Sequence, residues 1–191
     1  MKGSSAHWRS TSGGSFRKCL RRSLNLKIEP LGSHHNRAGF ACGVESLDRY
    51  SKTQANQDVK RKINGVFVLV DPREPAEVLG YYTLCATALA QGDVPVAARK
   101  HVPRYPLVSA ALVGRLAVVG HQQRQGLGAL LLADAVKRAY ASASSIGSSM
   151  LIVDAISEQA AAFYEANGFV RLPDSFRLIL PMQAIAKLVE S

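Results

Sequence analysis

The amino-acid sequence predicts one mixed α/β (α+β) domain with a mostly antiparallel sheet of six to seven strands flanked by helices. Its 191 residues can form one good-sized core, with little chain left for a second. The content of 47% hydrophobic and 20% charged residues is typical of a soluble globular protein. Segments of strand and helix length follow one another in the order β, α, β, β, β, α, β, α, β, β, which favours a mixed fold.

The first 23 residues differ from the rest of the chain. They contain no acidic residue, are rich in Ser, Gly and Arg, and show no apolar periodicity. Such a segment cannot bury enough surface to offset its chain entropy, so we predict a disordered basic extension followed by a folded domain over 24–191. Its composition resembles that of a mitochondrial transit peptide, but we favour an unstructured extension or a start codon placed too far upstream.

The charge and the cysteines restrict the partners and the compartment. Residues 1–37 hold a net charge of +7 out of the total of +10, so a polyanionic partner such as RNA is consistent with the sequence but weakly supported. Three cysteines without a CxxC pattern indicate a reducing compartment and argue against a disulfide framework or a zinc site. His34-His35 lacks ligand partners at suitable spacing and is interpreted as a solvated loop. No apolar run approaches the ~20 residues of a membrane helix.

The first half of the domain begins with a strand and a helix. Apolar and polar residues alternate over 24–31, which predicts a strand ended by Pro30 and Gly32. A helix is predicted from about Glu45, capped by Ser46. We expect its inner side to carry Leu47, Tyr50 and Val59. Its outer side is basic and carries Arg49, Lys52, Lys60, Arg61 and Lys62, together with Asp48 and Asp58. We interpret this side as a solvated surface that becomes an RNA contact only if it borders the catalytic cleft.

A β-hairpin is predicted next. The continuous β-branched run Val66–Val70 suits a central strand, 71–75 is its turn, and 78–90 is the antiparallel return strand. The polar connection 91–106 that follows contains a predicted short helix around Ala97–His101.

The segment 112–142 organises the domain. It is predicted as a strand over 112–119, a polar loop, and a helix from Gly126 to about Ser142 whose far end carries Lys137 and Arg138. A strand that enters a helix through a glycine turn directs backbone N–H groups and a positive helix end at one point, which favours a bound phosphate. Gly126 and Gly128 lack a Cβ and allow an anion to approach the backbone.

The last elements are short. Met150–Asp154 is a predicted strand, and 157–168 is a predicted helix capped by Ser157 and ended by Asn167-Gly168. Two strands, 169–172 and 176–180, close the sheet as a hairpin.

Several of these segments resemble one enzyme family. Residues 123–128, Gln-Arg-Gln-Gly-Leu-Gly, match the pyrophosphate loop Gln/Arg-x-x-Gly-x-Gly/Ala of GCN5-related N-acetyltransferases (GNAT), and 160–169 resemble that family's A-x-x-F-Y-x-x-x-G-F element. A narrower group, the acetyltransferase toxins of type II toxin–antitoxin modules, is resembled by segments at 40–55, 79–82, 103–106 and 114–118. The resemblance covers about residues 24–183.

The resemblance implies a GNAT fold and a cytoplasmic bacterial enzyme, often dimeric. Such enzymes transfer acetyl from acetyl-CoA to the α-amino group of aminoacyl-tRNA and thereby block translation, and a ribbon-helix-helix antitoxin usually neutralises them. Two alternatives stay open: an acetyltransferase acting on a small-molecule amine or a protein lysine, and a non-catalytic CoA-binding or RNA-binding module. Arg124 stands where the toxin group commonly has glycine, so it either adds a cation to the phosphates or loosens cofactor binding. Ser51 replaces a usual leucine.

The resemblance also implies roles for individual residues, with no metal among them. Tyr164 is the expected proton donor, because a phenol of pKa about 10 stays protonated at neutral pH while the leaving thiolate needs a proton. The expected cofactor contacts lie on the strand, the loop, the following helix and the A-x-x-F-Y element: Leu116, Ala117, Val118, Gln123, Arg124, Gln125, Gly126, Leu127, Gly128, Ala129 and Phe163.

The sequence places no convincing general base beside Tyr164, and Glu158 and Glu165 are interpreted as surface charges. An α-amine of pKa about 7.7–8.0 is partly neutral without a base, whereas a lysine amine near 10.4 is not, so the α-amine is the easier substrate. Arg115 is either a structural ion-pair partner or a contact for an RNA phosphate. The candidate RNA-binding residues are Arg49, Lys52, Lys60, Arg61 and Arg115.

Overall fold

A computed structural model of the protein describes residues 26–94 and 105–189, with the side chains of 188 and 189 excepted. The predicted extension 1–23, the beginning of the first predicted strand and the predicted helix around 97–101 lie outside these residues. None of the helices in the described part of the chain combines the length and apolar character needed to cross a membrane.

Seven strands form one sheet in the spatial order β1-β2-β3-β4-β5-β7-β6. All neighbouring pairs are antiparallel except β4 and β5, which confirms the predicted mixed and mostly antiparallel fold. The strands are β1 (Lys27–Pro30), β2 (Gly65–Val70), β3 (Gly80–Ala90), β4 (Leu107–Val118), β5 (Met150–Asp154), β6 (Val170–Arg171) and β7 (Arg177–Pro181).

Helices cover both faces of the sheet. On one face, α1 (Glu45–Arg49), a π-helical segment (Tyr50–Gln54) and α2 (Ala55–Lys60) follow one another and pack on β2, β3 and the end of β4. On the other face lie α3, α4 and α5, whose apolar residues share a core with Leu69, Tyr82 and Val153. Their bounds are Leu127–Ile146, Glu158–Ala166 and Met182–Val189.

A β-bulge at Gly114 changes the pattern of β4. Thr83 of β3 lies opposite Arg115 while the next residue, Leu84, lies opposite Val113, so Gly114 is the extra residue. The bulge shifts the alternation of side chains, because Val113 and Leu116 both pack toward α3 although they are three residues apart. Arg115 therefore lies on the opposite face, toward α1 and α2.

The first predicted strand and helix need correction. β1 starts only at Lys27 and includes Pro30, and Ser46 is not the cap, since α1 begins after Val44 without a side-chain cap. Tyr50 is buried as expected, but Val59 is 36% exposed and does not lie on the inner side. The change from α- to π-helical geometry at Tyr50 shifts the later residues around the helix axis, which the regular spacing used for the prediction could not anticipate.

Two further expectations were wrong or incomplete at the ends of helices. α3 continues to Ile146, so Lys137 and Arg138 do not lie in its last turn. Arg138 instead pairs with Asp134, with Nε 2.8 Å from Oδ2, and lies over the ring of Phe67. The sequence prediction missed α5 altogether, although its apolar residues Met182 and Ile185 have helical spacing and are buried.

Candidate active site

The pairing of β4 with β5 stops before the carboxyl end of β4, and the open strand edge that this leaves is here named the slot. Their parallel pairing runs from Ala110 opposite Met150 to Val113 opposite Val153 and ends there. Leu116, Ala117 and Val118 pair with β3 on one side and, among the described residues, with no strand on the other. The backbone groups on that second side can therefore bind an extended ligand that carries amides.

The loop that leaves β4 is held by its own side chains. The amide nitrogen Nε2 of Gln123 donates to the carbonyl oxygens of Cys42, at 2.7 Å, and Val118, at 3.0 Å. Gln125 donates more weakly, at 3.3 Å, to the carbonyl of His121. The Gln123 amide nitrogen, expected to touch a cofactor, therefore joins this loop to the segment before α1.

The turn into α3 uses two residues with left-handed backbone conformations. Gly126, the residue before α3, has φ +86°, and Arg124 has φ +61°. The expected difficulty at Arg124 is thus real, because this conformation costs a residue with a Cβ about 1–2 kcal/mol relative to glycine. The Arg124 side chain is exposed. The first backbone N–H groups of α3, which follow this turn, have no acceptor within the helix.

Gly128, Leu116 and Phe163 come together where α3, β4 and α4 meet. A Cβ placed on Gly128 would lie 3.7 Å from Cζ of Phe163 and 4.0 Å from Cδ2 of Leu116. Leu127 beside it is buried and Ala129 is half-buried. The structure thus brings the expected cofactor residues of three separate elements to one site.

Tyr164 lies on α4 with only 7% of its surface exposed. Its ring packs edge-on against Phe163 and Phe169, at centroid distances of 5.2 and 5.7 Å. Burial raises the pKa of the Tyr164 phenol to about 12, and no hydrogen bond within the described residues contributes to that change. The phenol therefore stays protonated throughout the physiological pH range.

The helix that carries Tyr164 has the predicted ends. The Ser157 hydroxyl accepts a hydrogen bond from the backbone N–H of Ala160 at 3.2 Å, and Gly168 follows the helix with φ +91°. The surroundings of the two neighbouring carboxylates do not favour a role as general base. Glu158 is held by two nitrogens of Arg171, at 2.7 and 2.9 Å, and Glu165 is exposed.

Arg115 forms no ion pair within the described residues, so it is not the structural ion-pair partner that was one of the two expectations. Its guanidinium carbon lies 3.8 Å from the ring centroid of Tyr50, a cation–π contact. The Tyr50 hydroxyl donates to Oδ2 of Asp58 at 2.9 Å, and Nδ2 of Asn64 donates to the same oxygen at 2.7 Å. A chain of contacts therefore links β4 to the end of α2. The other candidate RNA-binding residues, Arg49, Lys52, Lys60 and Arg61, are exposed.

The interpretation of His34-His35 as a solvated loop was wrong. The His35 side chain is fully buried, and Nε2 of each histidine lies near Oε1 of Glu29, at 3.3 Å for His34 and 3.0 Å for His35. The backbone N–H of Gly32 donates to Nδ1 of His35 at 2.8 Å, which leaves Nε2 of His35 as the protonated nitrogen that donates to Glu29. A protonated Nε2 and a lysine on the same carboxylate fit a hydrogen-bonded cluster better than a metal site. The partner, Glu29, lies only five residues before His34 and was overlooked.

Comparisons with known proteins agree with this geometry. The family model described as an acetyltransferase (GNAT) domain matches residues 63–171, which include β4, the loop, α3 and α4. The chain is 33% identical over 151 residues to a protein of Mycobacterium tuberculosis (strain ATCC 25618 / H37Rv) named tRNA-acetylating toxin, covering 78% of this chain and 88% of that protein.

Two solved structures extend the comparison to the whole fold. AtaT complexed with acetyl-methionyl-tRNAfMet has a TM-score of 0.80 and 30% identity, covering 87% of this chain and 100% of that one. A tyrosine-to-phenylalanine variant of AtaT, bound to the C-terminus of the antitoxin AtaR and acetyl-CoA, has a TM-score of 0.75 and 27% identity, covering 87% and 99%. The slot, the glycine turn and the buried phenol all lie within the residues that the family model matches, and that model spans more than half of the chain. This chain therefore belongs to the GNAT family of N-acetyltransferases.

Proposed function

We propose that this protein is a toxin that transfers acetyl from acetyl-CoA to the α-amino group of aminoacyl-tRNA and so blocks translation. The observation that carries the proposal is the likeness, at 30% identity over 87% of the chain, to a solved relative in complex with acetyl-methionyl-tRNAfMet. The 33% identical relative named tRNA-acetylating toxin supports the same substrate.

Acetyl-CoA would supply an activated acetyl thioester. The slot beside Leu116–Val118 has backbone groups for the amides of the pantetheine arm, and the N–H groups of 125–129 suit its diphosphate. The residues fit such a group, since Gly128 leaves space between Phe163 and Leu116 that a methyl would partly fill. Arg124, exposed beside this turn, would add a cation near the phosphates. Gln123 would act mainly by holding the loop.

Tyr164 would protonate the leaving thiolate. Its raised pKa, about 12, keeps the phenol protonated before the reaction, so a proton is available beside the thiolate as it leaves. A backbone N–H of the β4 edge would stabilise the negative charge that grows on the thioester oxygen. The candidate carboxylates Glu158 and Glu165 supply no base here, so the reaction is best suited to an amine that is already partly neutral.

The same likeness supports partners for the protein. AtaT is bound to the C-terminus of the antitoxin AtaR in a solved structure. We propose that an antitoxin of the ribbon-helix-helix class neutralises this protein, that the active form is a homodimer, and that it acts in the bacterial cytoplasm. Sedimentation of the pure protein, alone and with the small protein encoded beside it, tests the two assemblies.

The substrate is tested by incubating the protein and acetyl-CoA with charged and with uncharged tRNA. We expect acetylated aminoacyl ends, identified by mass spectrometry, only with charged tRNA. Acetylation of small amines or protein lysines with no acetylated aminoacyl-tRNA would replace this proposal with the second enzyme class. No release of CoA with any amine would favour a binding module.

The role of Tyr164 is tested by Tyr164→Phe. Loss of the proton donor is expected to lower the acetylation rate by about 100-fold or more while the Kd for acetyl-CoA changes little. The change removes no hydrogen bond within the described residues, so the melting temperature should stay close to that of the wild type. Full activity in this variant would exclude Tyr164 as the acid.

A further inference from the structure

The segment from Val59 to Ile63, here named the basic tip, is an uncompensated positive surface at the end of α2. Lys60, Arg61 and Lys62 are exposed, and within the described residues none of them forms an ion pair. The acid next to them, Asp58, is turned inward and accepts hydrogen bonds from Tyr50 and Asn64. Val59, in the last turn of α2, and Ile63 flank the cations and are 36% and 54% exposed.

Lys62 occupies a position that favours glycine. The backbone N–H of Ile63 donates to the carbonyl of Asp58, and that of Lys62 donates to Val59, which is the hydrogen-bond pattern of a Schellman helix end. The left-handed residue in this motif is Lys62, with φ +57°. A lysine there is less stable than glycine would be, so the folded state alone does not account for this cation.

The basic tip lies at the same level along the strands as the slot. Arg115 follows the bulge in β4 and stacks on Tyr50, whose hydroxyl binds Asp58 one residue before the tip. The strand that follows the tip begins with Gly65, which pairs with Leu84 of β3. Thr83, adjacent to Leu84 in β3, pairs with Arg115. The tip therefore lies on the α1–α2 face at the level of the bulge and of the last β4–β5 pair, before β2 and across β3 and β4 from the slot.

The earlier part of the same helical stretch has a different charge pattern. Arg49 and Lys52 share a shallow surface depression with Glu45 and Asp48. Acidic and basic groups alternate there, which weakens its attraction for a polyanion.

We propose that the basic tip, with Arg115, binds the sugar-phosphate backbone of the tRNA next to its aminoacyl end, and that Arg49 and Lys52 contribute little. The inference rests on the proposed function. Lys60, Arg61 and Lys62 would contact phosphates, and exposed Val59 and Ile63 would contact the apolar faces of sugars.

Three variants test the proposal: Lys60→Ala with Arg61→Ala, Lys62→Gly, and Arg49→Ala with Lys52→Ala. Lys137→Ala with Lys187→Ala, two exposed lysines on helices of the opposite face, is the charge-matched control. For each, the KM for charged tRNA is measured at several salt concentrations, together with the Kd for acetyl-CoA and the melting temperature.

We expect the Lys60/Arg61 variant to raise the KM for charged tRNA about 10-fold. The slope of log KM against log salt should fall by roughly 0.7–0.9 for each phosphate that the variant no longer binds. Lys62→Gly should raise the melting temperature, by roughly 2–4 °C for a chain of this size, and still weaken tRNA binding. The Kd for acetyl-CoA should not change. If the role of Lys62 were purely structural, Lys62→Gly would raise the melting temperature without weakening tRNA binding.

The inference is overturned if the tip variants keep the wild-type KM and salt slope, or if the Arg49/Lys52 variant shows the larger loss. It is also overturned if the tip variants lose antitoxin affinity and keep the KM for tRNA, because the tip is then a protein contact. Failure of the wild type to acetylate any charged tRNA would instead contradict the proposed function itself.

Discussion

Three single side chains of this protein are held in unusual states by their surroundings. Tyr164 is buried among aromatic rings, Arg124 adopts a left-handed conformation, and Glu29 accepts hydrogen bonds from two histidines and a lysine. The first two of these residues lie where the sequence motifs indicated chemistry. The third stabilises the start of the domain and was not anticipated.

Replacing Arg124 with glycine separates stability from cofactor binding. Arg124→Gly should raise the stability of the folded state by about 1 kcal/mol, because glycine adopts φ +61° without steric cost. The variant should also bind acetyl-CoA several-fold more weakly at low salt, measured by calorimetry, if the guanidinium contacts the phosphates. Tighter binding would show that the arginine hinders the loop, which was the second interpretation of this residue.

Glu29 should make stability depend on pH in the acidic range. Its hydrogen bonds with Lys27 and with the two histidines lower the pKa of the Glu29 carboxyl from 4.5 to about 2 despite partial burial. A carboxyl whose pKa is lowered on folding contributes stability above its ordinary pKa, and that contribution is lost as the pH falls from about 4.5 toward 2. We therefore expect Glu29→Gln to lower the free energy of unfolding at pH 7 by about 1 kcal/mol or less, and the difference to shrink toward pH 2.

Urea unfolding of the wild type and of Glu29→Gln at pH 7, 4 and 3 checks this expectation. Glu77→Gln, at an exposed residue, is the control and should track the wild type at every pH. A constant difference between Glu29→Gln and the wild type across this range would contradict the assigned cause.

Among the secondary-structure elements, β4 does most to define the site. The bulge at Gly114 directs Arg115 to one face and Leu116 to the other, and the end of its pairing with β5 creates the slot. Gly80 of β3 sets how closely β4 and α3 pack, because an added Cβ would lie 2.9 Å from the carbonyl oxygen of Ala117 and 2.9 Å from Leu131.

Two glycine-to-alanine changes should therefore have opposite effects on the stability of the folded state. Gly80→Ala is expected to destabilise the protein by about 1–3 kcal/mol and to raise the KM for acetyl-CoA, because Ala117 must shift. Gly128→Ala adds a methyl at ordinary contact distances within α3 and should stabilise the helix by up to about 1 kcal/mol, while the methyl partly fills the space proposed for acetyl-CoA and should raise the KM for it. Thermal unfolding and initial rates measure both. Equal changes of the melting temperature in the two variants would contradict the packing argument.

At the scale of the molecule, one sheet with helices on both faces carries the site, and the basic extension is predicted to add charge without structure. Deleting residues 1–23 should leave the melting temperature and the Kd for acetyl-CoA unchanged, since that segment lacks the apolar residues needed to pack. Non-specific RNA binding should weaken and lose part of its salt dependence, because the deletion removes Lys2 and five further Lys and Arg residues. A clear drop in melting temperature would show that the segment packs on the domain.

The sequence by itself determined the elements and the motifs whose physical causes are local. Met150–Asp154 is a strand with the predicted bounds, and Ser157 and Asn167-Gly168 delimit α4, because apolar runs, caps and left-handed glycines act within a few residues. The turn at Gly126 was located in the same way, and the aromatic pair Phe163-Tyr164 was located by its resemblance to the family's A-x-x-F-Y element.

Only the tertiary structure decided what depends on residues far apart in the chain. The slot exists because the pairing of β4 with β5 ends at Val113. The stacking of Arg115 depends on a bulge and on Tyr50 of a π-helical segment. The burial of His35 depends on how its loop folds back on Glu29. Strand divergence, a bulge and a cation–π contact are set by packing between elements. Their energies do not appear in any local pattern of residues, so the sequence indicated the chemistry of the site but not its shape.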